Sequence, residues 1–297
     1  MSSARSRNRS RPSLAAGLSL GPAWVIVVAI YIGTAIWTVA MSLTTSRLLP
    51  TAQFAGLSQY RRLFTTPRWM QSLENLVLFG VVFIVVALVL GFLLAVALDR
   101  KIRFEGAIRT IYLYPYALSF IVTGVVWKWM LDPTMGIQKT MHDLGWTSFR
   151  MDWVVDMHMA IYALILAAVW QATGLVMALM LAGLRGVDGD LWKAIEVDGI
   201  PTWRAYVAII LPILKPIVVT ATVLLGVAVV KAYDLVVALT GGGPGYATDM
   251  PAKFIMDFLF QRANIGLASA AATVILLISV LAILPWIYVT YLRAPRR

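Results

Sequence analysis

Lys231, Tyr233 and Asp234 place an ammonium, a phenol and a carboxylate inside an otherwise apolar run. Lys231 and Asp234 are three residues apart, a spacing that brings two side chains to one face of a helix. Ionisable groups within a membrane span are costly and mark a substrate or ion path by default. One expectation is therefore that the three line a polar cavity for a hydrogen-bonding ligand. The competing expectation is that the two charges simply pair, or snorkel to the end of the run near Thr240. Gln171 and Thr173 are the polar candidates of the preceding apolar run, where Gly174 permits close approach. Trp127, Lys128 and Trp129 cluster near the end of an earlier run. An interfacial aromatic belt accounts for them as well as ligand stacking does.

Other chemistries lack residues. There is no cysteine, so disulfides, thiolate chemistry and Cys-type metal sites are excluded. His142 and His158 are the only histidines, so no metal site is expected. No apolar run carries a His/Asp/Glu cluster for intramembrane catalysis. Gly241, Gly242, Gly243 and Pro244 read as a tight outer turn, since glycine permits positive φ and proline stops a helix. No glycine-rich stretch ends in the GK[ST] of a phosphate-binding loop, so no nucleotide site of that kind is expected on this chain.

These groups need a frame, and composition supplies it. The chain is 60% hydrophobic and only 13% charged, against roughly a quarter charged in soluble domains. The net charge of +11 suits loops beside membrane spans better than nucleic acid, which is not an expected partner. A helix needs about 20 apolar residues to cross the hydrocarbon core. Six runs qualify: 23–43, 76–98, 110–131, 158–184, 213–239 and 267–291. Each must be helical, because backbone amides in lipid have no water to bond. The first run is too long for a typical signal peptide and is taken as retained.

With the N-terminus inside, segments 1–21, 99–109, 185–212 and 292–297 hold four, four, three and three Lys/Arg. The outer segments 44–75, 132–157 and 240–266 hold four, two and two. The balance favours N-in, C-in. Segment 54–69 reads as an interfacial amphipathic piece anchored by Tyr60, Phe64 and Trp69. The expected fold class is therefore an all-α, multi-pass membrane protein of six transmembrane helices. A basic tail, 1–21, precedes a single membrane domain, 22–297, with an elaborate inner loop at 185–212.

That loop is sharply punctuated. Asp188 and Asp190 suit a helix start. Leu191, Ala194 and Ile195 recur at i, i+3 and i+4, giving a short apolar face, with Trp192, Lys193 and Glu196 on other sides. Asp198 precedes Gly199, a natural stop. Pro201 opens a second helix. Pro212 and Pro216 favour a kink where the fifth span begins. Spacing alone allows either a docking surface or an interfacial hairpin that only reconnects spans.

Asp198-Gly199 followed by Ile210-Leu211-Pro212 resembles the EAA loop of ABC importer permeases. WQATGLVMALMLAGLRGVDGDLWKAIEVDGI, from Trp170, is similar to the sugar-permease branch, and so is ALTGGGPGYATDMPAKFIMDFLF, from Ala238, with Gly266 to Ser269 after it. The resemblance covers the chain from Pro22 to the last span. Within the maltose-type family the tail looks most like the glucose/mannose permeases. The resemblance implies that Leu191, Lys193, Ala194, Ile195, Glu196, Asp198 and Gly199 belong to a coupling helix that moves with an ATPase. It implies that 170–177, with Met177, and Lys231, Tyr233 and Asp234 line the substrate path, and that Gly241–Pro244 lies near a delivering binding protein.

The implied partners are a second homologous permease, two copies of a cytoplasmic ATPase holding ATP and Mg, a periplasmic solute-binding protein and a sugar. No cofactor is expected on this chain, and it is not expected to be an enzyme. The implied location is the bacterial inner membrane. Two departures stand out. Lys193-Ala194-Ile195 occupies the place of the usual Glu-Ala-Ala, reversing one charge. Ala228, Val229 and Ala232 stand where the maltose permease is richer in amides, which argues against a maltose-like disaccharide site. The rival readings are an ion-coupled secondary transporter using Lys231 and Asp234, disfavoured because no inverted repeat is visible, and a membrane scaffold that docks a cytoplasmic partner.

Overall fold

The computed structural model describes residues 14–51, 53–99 and 103–287. The expectations placed on Arg5, Arg7, Arg9 and Arg11, on Arg100 and Lys101, and on the end of the sixth run at 291 lie outside the described residues. Helix is the only extended regular structure among the described residues; a single antiparallel bridge joins Thr44 and Phe54.

α1 (Leu14–Val27), a π turn at Val28–Ile32 and α2 (Gly33–Ser42) follow one another. Gly21–Ser42 is long and apolar enough to cross a membrane. After α3 (Ser58–Phe64) comes α4 (Pro67–Asp99), 33 residues long. It starts well before the expected 76 because Pro67 is preorganised for a first helical turn. Its early polar turns, with Ser72 and Asn75, escape a hydropathy count but continue the helix. At 1.5 Å per residue α4 is roughly 50 Å long, so part of it must project beyond a ~30 Å hydrocarbon core.

The third expected span is not straight. α5 (Glu105–Leu113) runs into a 3₁₀ turn at Tyr114–Ala117 and then α6 (Phe120–Met130), bent by 101°. Pro115 removes a backbone donor and forbids continuation. Ser119 then caps α6 by accepting from the Val122 amide at 3.2 Å. A short α7 (Ile137–Asp143) follows.

α8 (Ala160–Arg185) is the central post, and most of it is buried. Its small residues let neighbours approach closely. A Cβ on Gly174 would lie 1.9 Å from the Tyr112 carbonyl oxygen, and one on Gly183 2.2 Å from Ile217. Facing it from α4, a Cβ on Gly91 would lie 2.5 Å from Val176.

Beyond α8 lie α9 (Gly189–Val197), α10 (Thr202–Arg204), a π segment Ala205–Ile210 and α11 (Leu211–Ile213). α12 (Lys215–Val230) then departs at a 72° bend, flanked by Pro212 and Pro216 as expected. α13 (Tyr233–Leu239), α14 (Pro251–Met256), a π turn Asp257–Gln261 and α15 (Ile265–Ile287) complete the described residues. Four of these helices are long and apolar enough to cross a membrane, or up to six if each bent pair is one span.

Two apolar cores form among the described residues. The larger centres on α4 and α8 with α6, α12 and α13. The smaller gathers Leu63, Trp69, Phe254, Phe258 and the first turns of α15. This corrects one expectation. Trp69 is fully buried, its ring tilted against Phe254 with centroids 5.1 Å apart, and is no interface anchor. Tyr60 is half-buried against Ser42, while Phe64 stays exposed.

Candidate functional site

The loop after α8, expected to lie inside, folds as a short helix with both ends locked. Asp188 caps α9 by accepting from the Asp190 amide at 2.9 Å. At the far end Gly199 has φ +66, the left-handed conformation that glycine adopts without a Cβ penalty. The Gly199 amide donates to the Glu196 carbonyl at 3.1 Å, and the Ile200 amide donates to the Ile195 carbonyl at 3.1 Å. Those two bonds form a Schellman motif and satisfy carbonyls that the helix end leaves open.

The expected apolar face divides. Ile195 is buried in the chain's own core, and Leu191 is half-buried with Trp192 beside it. Ala194 remains exposed with Lys193, Glu196 and Val197, the last 86% exposed. Lys193 donates to Asp190 at 2.8 Å, one turn back on the same exposed helix. Hence Leu191 and Ile195 bolt α9 to the bundle, and the strip turned outward is Ala194 and Val197 flanked by charges. A hollow of ≈ 460 Å³ opens beside it, lined by Asp198, Gly199, Arg204 and Ile209 among others.

Aromatic contacts carry α9 into the bundle. Trp192 meets Tyr206 edge-on at 5.4 Å, and Tyr206 meets Phe92 of α4 at 6.5 Å. At the base of the loop, Arg185 pairs with Glu105 at 2.5 Å, joining the end of α8 to the start of α5. Sequence reasoning missed Tyr206 as a link, and only its aromatic character in the second short helix signalled it.

Lys231, Tyr233 and Asp234 lie where α12 gives way to α13, inside the expected fifth run 213–239. α12 ends at Val230 and α13 starts at Tyr233, with Lys231 and Ala232 in a turn. The Tyr233 amide donates to the Lys231 carbonyl at 2.7 Å, which closes that turn. The expected ion pair on one helix face is absent: no salt bridge joins Lys231 to Asp234, because the helix breaks between them. Both side chains are exposed and Tyr233 is half-buried. Lys231 edges a groove of ≈ 390 Å³ whose other walls, such as Ile84 and Val227, are mostly apolar. Non-helical backbone at membrane depth is tolerated only against protein or a water-filled cavity.

Of the candidates in α8, Gln171 donates Nε2 to the Leu118 carbonyl at 2.7 Å, serving the backbone freed by the bend in the third span. Its Oε1 is buried without a hydrogen-bond partner, as are Thr123 Oγ1 and Trp127 Nε1 of α6. Thr173 donates to the Val169 carbonyl at 2.6 Å within its own helix. Gly174 packs against the Tyr112 carbonyl, and Met177 is wholly buried in the core. So the structure brings Gln171 to the bend of the third span but leaves Thr173 and Met177 inside the packing. Trp127 is also buried, edge-on to Trp170 at 5.9 Å, whereas Trp129 stays exposed as a belt residue would.

The glycine turn forms as expected, with positive φ at Gly241, Gly242 and Gly245 and Pro244 in a cis peptide after Gly243. Its anchor was not foreseen. Arg68, at the start of α4, donates Nε to Asp249 Oδ2 at 2.6 Å and Nη2 to Asp257. Lys253 donates to the same Asp257 carboxylate at 2.6 Å. Asn75 donates to the Tyr246 and Asp249 carbonyls at 3.1 and 2.9 Å. Two cations therefore meet two carboxylates in a buried, neutral cluster. Burial pushes the Asp257 carboxyl up, but hydrogen bonds from Lys253 and Arg68 outweigh it and hold its pKa below the usual range. Elsewhere, hydrogen bonds from Thr134 lower Asp132, and the Met159 and His158 amides lower Asp156.

Similarity to known proteins follows the same frame. The profile of the family described as binding-protein-dependent transport system inner membrane component matches residues 87–296. A probable ABC transporter permease of Pyrococcus horikoshii is 37% identical over 276 residues, spanning 92% of this chain and 94% of that one. The xylose/arabinose import permease of Haloferax volcanii is 34% identical over 274 residues, 91% of this chain and 86% of that one. The backbone is similar to that of a chain in the crystal structure of a bacterial ABC transporter involved in the import of alginate, with a TM-score of 0.80 at 18% identity, covering 96% of this chain and 97% of that one. With the profile spanning most of its length and relatives aligned nearly end to end, the chain belongs to the binding-protein-dependent transport system inner membrane components, as a maltose-type ABC sugar permease.

Proposed function

We propose that this chain is one membrane-spanning subunit of a bacterial ABC importer that carries a sugar, driven by ATP hydrolysis on a separate ATPase. The two bent pairs count as one span each, giving six spans with both termini in the cytoplasm. α9 and Gly199 then lie on the cytoplasmic side and the Gly241–Pro244 turn on the outer side.

The observation that carries the reading is the construction of α9. A helix capped by Asp188, stopped by Gly199 and keyed through Trp192 and Tyr206 to α4 can transmit a displacement as a rigid body. Its exposed strip offers Ala194, Val197, Lys193 and Glu196 to an ATPase carrying ATP and Mg. The partners in this reading are two ATPase copies, a second homologous permease and a periplasmic solute-binding protein. One solved bacterial alginate transporter is in complex with an alginate pentasaccharide-bound periplasmic protein, which supports the last of these.

The substrate is a small sugar, with glucose or mannose as the first candidates. Relatives include proteins named for xylose/arabinose, trehalose/maltose and lactose, so the class is better supported than the member. The path passes the bend served by Gln171, close to Gly174, and the break at Lys231, Tyr233 and Asp234. Reconstitution with the ATPase, the second permease and the binding protein in proteoliposomes, with a panel of labelled monosaccharides, tests this. Uptake of glucose or mannose that requires ATP and every partner is expected. Gradient-driven uptake by this chain alone would sink it.

A further inference from the structure

Arg68 is accounted for by Asp249 and Asp257, but Arg47, Arg61 and Arg62 are not paired with any acid among the described residues. All three are exposed. Arg61 and Arg62 close α3, where they complement the helix dipole, but Arg47 has no such role.

Their level relative to the bilayer is fixed by two span ends. The Tyr60 hydroxyl of α3 meets Ser42 Oγ, the last residue of α2, at 2.7 Å. The Gly266 amide, at the start of α15, donates to the Ser46 carbonyl at 2.9 Å. Gln59 also donates to the Thr44 carbonyl at 3.0 Å, tying α3 to the hairpin closed by the Thr44–Phe54 bridge. Hairpin and α3 are thus one unit at the edge of the hydrocarbon, beside the ends of two spans.

The unit turns apolar side chains outward there. Leu57, Arg61 and Phe64 recur at i, i+4 and i+7, so they share one stripe, with Gln59 and Leu63 buried on the other side. Leu57 is 71% exposed, and Leu48 and Leu49 at the hairpin tip are exposed as fully. A groove of ≈ 500 Å³ runs between Arg47 and Gln53 along that tip.

We infer that hairpin 44–54 and α3 form a lipid anchor, with Leu48, Leu49, Leu57 and Phe64 inserted below the headgroups and Arg47, Arg61 and Arg62 holding anionic ones. Charge complementarity selects this occupant. Three unpaired guanidiniums beside inserted leucines match anionic phosphates above acyl chains, and a fork of donors suits phosphate geometry. It also gives a reason for arginines on the side of the membrane where positive charge is usually scarce.

The chain has no cysteine, so L57C offers a unique thiol for an environment-sensitive fluorophore. The labelled full-length protein is placed in phosphatidylcholine nanodiscs containing equal fractions of either brominated phosphatidylglycerol or brominated phosphatidylcholine. Both lipids should quench the label, the anionic one about fivefold more efficiently at low salt. The triple variant R47Q/R61Q/R62Q should keep the quenching and lose the preference, while R47K/R61K/R62K keeps both. A label at Val197, on α9, should show no preference. No quenching at position 57, equal quenching by both lipids with the arginines intact, a preference that survives the glutamine variant, or shielding of the label by added permease or binding protein would each overturn the anchor.

Discussion

The indole of Trp192 meets the ring of Tyr206 edge-on, with centroids 5.4 Å apart and planes inclined by 61°. Tyr206 in turn lies edge-on to Phe92. The two ring contacts link α9 directly to α4, so in the proposed coupling role a displacement of α9 would pass to α4 through them as well as through the turn at Gly199. Edge-to-face pairs contribute about 0.5–1.5 kcal/mol beyond their buried area. The variant W192A should still insert and still bind an ATPase, since the exposed strip of α9 is untouched. Sugar uptake should fall several-fold while ATP turnover persists, and W192F should restore most of the uptake. Parallel uptake and ATPase measurements in proteoliposomes check this; uptake at the original level in W192A would remove the rings from the coupling route.

Gly199 tests the other end of the helix. No atom lies within 4 Å of a Cβ built there, so a side chain meets no clash. The cost comes from φ +66 alone, about 1–2 kcal/mol for an ordinary residue. G199V should abolish uptake with insertion intact, and G199N, which tolerates the left-handed region, should retain most of it. Membrane yield and uptake read the two effects separately.

The Arg68 cluster predicts a stability effect with a known pH sign. R68M leaves Asp249 and Asp257 buried with Lys253 as the only cation, a loss on the order of 3–5 kcal/mol. Asp257 has a lowered pKa in the folded protein, so it binds fewer protons than in the unfolded chain near pH 4. Its stabilising share is full above the usual carboxylate range and is lost as pH falls through the folded value. The unfolding midpoint in detergent should therefore be flat from about pH 8 to 5 and drop below about 4, a fall that R68M should blunt. An acid drop of equal size in both proteins would assign it to other carboxylates.

How much of this was legible in the sequence depends on how far each cause reaches. Asp188 and Gly199 were readable because caps act within one helical turn. The side of α9 that turns inward was not, because Tyr206 and Phe92 decide it from other elements. Arg68 finds Asp249 and Asp257 at separations of 181 and 189 residues, which no local pattern encodes. Pro115 stood in plain view, yet averaging hydropathy over 110–131 hid the bend it causes. The break at Lys231 carries neither glycine nor proline, so local chemistry gave no warning that Lys231 and Asp234 would separate.

Gly174 gives a packing prediction that separates structure from path. A Cβ there would lie 1.9 Å from the Tyr112 carbonyl oxygen and 3.1 Å from Leu113 Cα, both backbone atoms that cannot rotate away. G174A must therefore push α5 from α8, costing about 1–3 kcal/mol as overpacking does. A lower unfolding midpoint with an unchanged order of sugar preference is expected. A changed preference at unchanged stability would place Gly174 in the path rather than in the packing.

Lys231 and Asp234 supply the sharpest test of the transport reading. With no salt bridge between them, their replacements should act independently in a double-mutant cycle. K231M and D234N should show a coupling below about 1 kcal/mol in thermal stability, short of what a close, desolvated ion pair gives. Each single change should nevertheless alter uptake, because each removes a polar group from the break between α12 and α13, which the proposed path passes. Large coupling would mean that the two charges pair in the membrane and serve the fold. Independent stability with separate transport defects would mean that each faces the path on its own, as expected where a helix is interrupted to line a cavity.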